Sequence, residues 1–242
     1  MRIFLAGAAG AIGRQLVPLL VDSGHTVTGT TRWPAKAEAL RAAGITPALV
    51  DVFDAPALTL AVRAARPELI MHQLTDLPPR LDPAAMAEGA RRNARMRREG
   101  TQNLVAAAQQ AGVRRLIAQS IAWMYADGGE PHREDDPLDA DPESPRAVSA
   151  AGVVALERLT LSSPPIEGVV LRYGHLYGPH TGFEKAEPPA LHVDAAAAAA
   201  LLAIERAHPG IYNIAEPCAY LSTEKAQREL GFDPAFRRAQ PA

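Results

Sequence analysis

The chain has 242 residues, a formal net charge of −2, 48% hydrophobic and 21% charged side chains. That composition supplies a sizeable core and excludes disorder, and near-neutrality removes the electrostatic case for nucleic acid or an anionic membrane surface. One cysteine, Cys218, excludes an internal disulfide and any cysteine-built metal site; no run is long enough to span a bilayer, so a cytoplasmic protein without metal is expected.

Short apolar runs alternate with helical patterns, which predicts an α/β fold with a doubly wound parallel sheet. Arg2–Ala6 reads as a strand and Ala11–Asp22 as a helix, with Pro18 inside it. Strands are predicted at His25–Thr30, Thr46–Val50 and Leu69–Leu74, with helices at Ala35–Ala43 and Ala57–Ala65. One long helical stretch runs from about Pro83 to Ala111, and Arg91, Arg92, Arg95, Arg97 and Arg98 within it read as a solvated face. Leu116–Ser120 is a fifth strand. Asp127–Ala147, with eight acidic residues and four prolines, reads as a surface loop. A helix at Val148–Leu161, a strand at Val169–Arg172, an alanine-rich helix at Asp194–Ala207, a strand at Ile211–Ile214 and a helix at Thr223–Leu230 complete the pattern. Residues 1–178 are expected to form the nucleotide-binding core, and 179–242 a small substrate-side portion with a returning strand and helix.

Gly7-Ala-Ala-Gly10-Ala11-Ile12-Gly13 follows a predicted strand and opens a predicted helix. Glycines there allow a tight turn and close approach of a pyrophosphate, whose charge meets the helix N-terminus. At the end of the second strand stand Thr31 and Arg32 with no carboxylate. A guanidinium there favours a 2′-phosphate, so NADPH is expected as cofactor, with NADH also admissible. Asp51 and Val52, after the third strand, border the adenine.

The order GAAGAIG, TVTGTTR, ALVDVFD, LIMHQLT, RRLIAQS, VVLRYGHLYGP and GIYNIA resembles the extended short-chain dehydrogenase/reductases, the NAD(P)-dependent epimerase/dehydratase branch. The resemblance implies a Rossmann fold, with Ile12 packed under the cofactor, Leu74 and Thr75 along the ribose, and Leu171–Leu176 beside the nicotinamide. It also implies a Tyr-x-x-x-Lys pair on a helix, in which the tyrosine is the proton donor and the lysine lowers its pKa. The chain has three lysines, Lys36, Lys185 and Lys225, and four residues before them stand Arg32, Thr181 and Leu221. No such pair exists. Aligned on Glu157, the lysine's place is Val153 and the tyrosine's is Ser149, while the family's serine falls at Ile121 beside Ser120.

Ser120, Tyr125 and His175 are the remaining candidates for proton chemistry, with Thr75 and Ser149 behind them; His72, Trp123 and Met124 read as structural. The segment His180–Leu191 is short for a nucleotide-sugar site and reads as a lid over a flat hydrophobic ligand or as a plain surface loop. These features resemble atypical ketoreductases of antibiotic pathways that act on angucyclinones and lack the usual serine, tyrosine and lysine. They imply an NADPH-dependent ketoreductase acting on a small hydrophobic substrate, a polycyclic aromatic ketone whose own phenol supplies the proton. Two alternatives stand beside it, an NADP(H)-binding sensor or scaffold without turnover and a nucleotide-sugar epimerase. A monomer is expected ahead of a homodimer, because arginines crowd the long helix.

Overall fold

The computed structural model describes residues 1–78 and 83–238. The expected substrate-side portion therefore extends, at 239–242, beyond the described residues. Among the described residues nine strands occur: β1 (Arg2–Ala6), β2 (Thr26–Thr31), β3 (Thr46–Leu49), β4 (Leu69–His72), β5 (Arg115–Ile121), β6 (Glu167–Tyr173), β7 (His175–Tyr177), β8 (Ala190–His192) and β9 (Gly210–Ile214). The helices are α1 (Ala11–Asp22), α2 (Pro34–Ala42), α3 (Ala55–Ala65), α4 (Pro83–Arg95), α5 (Thr101–Gln110), α6 (Ala147–Leu161), α7 (Val193–Arg206) and α8 (Glu224–Leu230). Seven strands form one sheet in the order β3-β2-β1-β4-β5-β6-β9, every neighbouring pair parallel.

Both faces of this sheet are covered, which explains why β1 and β4 read as unbroken apolar runs. Ile3, Leu5, Met71, Ile117 and Leu171 face α1 and α7, while Phe4, Ile70 and Leu116 face α3 and α5. Small side chains let α7 lie close to α1: Ala195, Ala196, Ala199 and Ala200 are fully buried there. Chain order reverses between β1 and β4, and a crevice opens at their carboxyl ends, where ligands of such sheets bind. Among the described residues, no helix is long and apolar enough to cross a membrane, and no cluster of His, Cys, Asp or Glu could hold a metal ion.

The structure adds detail to three local readings. The long helical stretch runs unbroken through α4 and α5, with a π-helical turn at Met96–Gly100 between them. Its wider turn shifts the helical register. Arg91, Arg92, Arg95 and Arg98 stay at the surface, but Arg97 turns inward at 6% exposure, where burial lowers its pKa to about 10. The acidic segment is a surface loop, as expected, anchored at two points. His132 is buried between Tyr125 and Tyr220, and Glu134 Oε1 accepts from the Asn213 N–H at 2.9 Å. The segment after Tyr177 returns as β8 and pairs in parallel with β7, so it is tied at both ends.

Candidate functional site

The β1–α1 turn is shaped by two close approaches. Gly7 has φ +96°, and a Cβ there would lie 2.6 Å from the Gln73 carbonyl oxygen across the crevice. A Cβ on Gly13 would overlap the Gly7 carbonyl. Gly10 is the N-cap of α1 and provides no side-chain cap, so the first N–H groups of that helix remain available to an anion. Thr30 Oγ1 accepts from the Gly7 N–H at 3.2 Å and steadies the turn.

Gly7, Gly10, Thr31 and Arg32 line one cleft together with Asp51, Val52, Leu74 and Thr75. Ala11 and Gly13 stand in the first turn of α1, whereas Ile12 and Leu176 belong to the apolar cluster beneath α1 rather than to the cleft lining. The cradle and its free N–H groups fit a pyrophosphate, and the cleft running from it to Arg32 and Lys36 beyond β2 fits the adenosine side of a dinucleotide. Sequence reading missed Trp33, Lys36 and Gln73 in this lining. Lys36 had a visible signal: it stands four residues after Arg32, just beyond the same strand.

A carboxylate does reach the end of β2, from a distant loop. Asp76 lies 3.5 Å from the Arg32 guanidinium and 3.7 Å from that of Arg92, and its backbone N–H donates to Asn93 Oδ1. Arg32 also lies over the Trp33 ring, 5.6 Å from its centroid. Asp51 accepts from the Phe53 N–H through Oδ1, so its carboxylate is partly committed to its own turn. His72 is fully buried and lies 3.0 Å from the Thr101 hydroxyl; its Nδ1 accepts from the Leu74 N–H. Burial, with Arg97 nearby, lowers its pKa to about 4, and the neutral ring fixes the Leu74 backbone at the cleft.

Two of the three catalytic positions inferred by resemblance, Ile121 and Val153, are apolar, and the third is Ser149. Ile121 and Val153 pack together with Met124 and Ala150, with Trp123 against them; Val153 is fully buried and Ser149 half-buried. Of the remaining hydroxyl candidates, Ser120 and Tyr125 sit inside a buried network. Arg172 pairs in bidentate fashion with Glu157, Nε to Oε1 at 2.9 Å and Nη2 to Oε2 at 2.7 Å. Ser120 donates to Glu157 Oε1 at 2.7 Å. Arg172 Nη1 donates to the Tyr125 hydroxyl, which donates in turn to Asn213 Oδ1, both at 2.7 Å. Burial pushes the Tyr125 phenol up to about 12 against the pull of Arg172. His175, on β7, is half-buried, with Nδ1 2.9 Å from the Glu187 carbonyl and its ring 5.1 Å from that of Trp123. Thr75 lines the dinucleotide cleft, apart from this network.

Two outcomes follow from these buried groups. Glu157→Gln leaves the Arg172 charge buried without its partner and lowers unfolding free energy by about 3–5 kcal/mol in urea titration; adding Arg172→Met restores most of the loss. His72 takes up its proton at about pH 4 when folded and near pH 6.5 when unfolded. Its contribution, about 3 kcal/mol at most, is complete above pH 6.5 and is lost as pH falls toward 4. The acid slope of stability between those values is shallower in His72→Gln, by chemical denaturation at each pH.

Several known proteins are similar to this chain. A 3-diazoavenalumate denitrifying reductase of Streptomyces sp is 40% identical over 241 residues, covering 89% of this chain and 76% of that protein. The 4-hydroxy-2-methyl-3-oxo-4-farnesyl-3,4-dihydroquinoline-1-oxide ketoreductase of Stigmatella aurantiaca is 29% identical over 180 residues, 74% of this chain and 51% of that one. The UDP-glucose 4-epimerase of Thermus thermophilus, solved with NAD, superposes with a TM-score of 0.78 over 98% of this chain and 95% of that one at 22% identity, a likeness of fold. The model of the NAD dependent epimerase/dehydratase family matches residues 3–230, from the first strand through the returning strand to the last helix, and the chain belongs to that family.

Proposed function

We propose that the chain is an NADPH-dependent reductase whose substrate gives a stable product without a proton from a protein side chain. The observation that carries this reading is the pairing of an intact glycine cradle with apolar side chains, Ile121 and Val153, where the family's serine and lysine would stand, and with Ser149 in place of the tyrosine. Gly7, Gly10 and the α1 N-terminus would hold the pyrophosphate, Arg32 and Lys36 a 2′-phosphate, and Val52, Leu58 and Met96 would wall the adenine. The cofactor supplies hydride. The Trp123 and His175 rings, 5.1 Å apart and tilted by 32°, stand beside the apolar cluster and would offer aromatic contacts to a planar ring.

The substrate class follows from that missing acid. Reductive loss of a diazo group breaks one C–N bond, forms one C–H bond and releases dinitrogen: an arenediazonium plus one hydride gives the arene with no alkoxide to protonate. The diazo-directed reductase at 40% identity supports an aromatic diazo compound as the first choice. The ketoreductase relative supports the second, a phenolic polycyclic ketone of the angucyclinone kind whose own hydroxyl supplies the proton. In either case Ser120 and Tyr125 act through structure rather than as acids.

NADPH carrying deuterium at the transferable position tests this directly, offered with phenolic arenediazonium salts and with phenolic polycyclic ketones. Deuterated arene with stoichiometric dinitrogen is expected. Turnover of ketones alone moves the assignment to the ketoreductase, and NADPH binding without turnover of either moves it to a sensor. Arg32→Ala should weaken NADPH about tenfold or more, as loss of a charge-assisted phosphate contact does, and NADH less than about twofold. Equal losses for both refute a phosphate role for Arg32.

A further inference from the structure

One group in the cleft has no explanation in the fold. Gln73 follows β4 directly, faces the Gly7 turn across the crevice and lines the cleft, yet it is 5% exposed. Neither its Oε1 nor its Nε2 makes a well-formed hydrogen bond to a protein group, although the Tyr173 hydroxyl stands beside the amide. Tyr173, the last residue of β6, is 1% exposed; its hydroxyl, beside the Gln73 amide, is likewise without a well-formed partner. Burial raises the phenol's pKa, so the hydroxyl is neutral and able both to donate and to accept.

Strand alternation places the two together. Gln73 continues the series Leu69 and Met71, and Tyr173 the series Val169 and Leu171, all on the α1 side of the sheet. Gln119, 7% exposed, continues Ile117 on β5 between them. An otherwise apolar face thus ends in three polar residues at the carboxyl edges of three adjacent strands. Buried amides are kept in such positions only when something completes their hydrogen bonds. Arg32, Asp51 and Val52 lie on the β2–β3 side of the Gly7 turn and Gln73 and Tyr173 on the β4–β6 side, with Gln73 lining the same cleft as the first set.

We propose that Gln73, backed by the Tyr173 hydroxyl, is a positioning residue for the nicotinamide ribonucleotide half of the cofactor, offering a donor and an acceptor to its carboxamide or ribose hydroxyls. The proposal rests on the dinucleotide reading of the cleft and is independent of the substrate. Gln73 replaces no acid or base; it sets where the reactive half of the cofactor lies relative to the apolar cluster of Ile121 and Val153.

Calorimetric binding of two ligands to the full chain separates this role from a structural one. NADPH contains both halves, and adenosine 2′,5′-bisphosphate only the adenosine half with its 2′-phosphate. In Gln73→Leu, NADPH affinity should fall about tenfold, as for one or two lost hydrogen bonds, while the bisphosphate changes less than about twofold. Equal losses for both ligands, or no loss for either, overturn the proposal. Tyr173→Phe keeps the shape of the core and covers the case in which Gln73→Leu does not fold. A selective loss for NADPH of about threefold is expected, and unchanged NADPH affinity overturns the proposal. Wild-type protein that binds NADPH selectively but reduces neither substrate class refutes the hydride-transfer reading and leaves this one standing.

Discussion

The buried pair of Arg172 and Glu157 governs the arrangement of everything beyond the carboxyl end of β5. Charges at 3% and 7% side-chain exposure are tolerated only when paired and fully hydrogen-bonded, so the pair recruits the polar groups around it. Glu157 takes the Ser120 hydroxyl, and Arg172 takes the Tyr125 hydroxyl. Through Asn213 and Glu134 the network continues to β9 and the acidic loop. Five segments distant in sequence are thereby fastened to one point. The same fastening engages both hydroxyls in hydrogen bonds within the protein.

The opposite side of the crevice is organised by backbone instead of charge. Gly7 and Gly13 bring the β1–α1 turn against its neighbours at distances no larger residue accepts, and the α1 N-terminus is left uncapped. Neutral His72 locks the Leu74 backbone beside that turn, and Asp76 holds Arg32 at the rim. An anion-binding turn with Arg32 and Lys36 nearby thus lines the cleft, while Ile121 and Val153 pack in a separate apolar cluster beyond β5.

The legible part of the molecule was that encoded in local pattern. Short apolar runs and period-3.6 apolar spacing announced the alternating strands and helices, and GAAGAIG marked the first turn because glycine alone fits it. The scarcity of lysine made absence of a Tyr-x-x-x-Lys pair certain without any coordinates. Arg97 was misplaced on the solvated face because a π-helical turn adds a residue per turn that periodicity arguments do not register. Asp76, which meets Arg32 from 44 positions away, carried no signal at all.

Sequence by itself therefore determined the α/β class, the glycine cradle and the loss of the family's proton-donating pair, each a matter of neighbouring residues or of counting. Tertiary structure alone decided which of the remaining polar groups are free. Ser120 stands at a strand end, where a hydroxyl looks available, but its partner Glu157 lies 37 residues away on α6. Gln73 sits in an apolar run, where an amide looks incidental, but folding leaves it buried in the cleft without a well-formed hydrogen bond to the protein. Hydrogen-bond satisfaction depends on groups brought together across the sheet, and no local pattern contains that information.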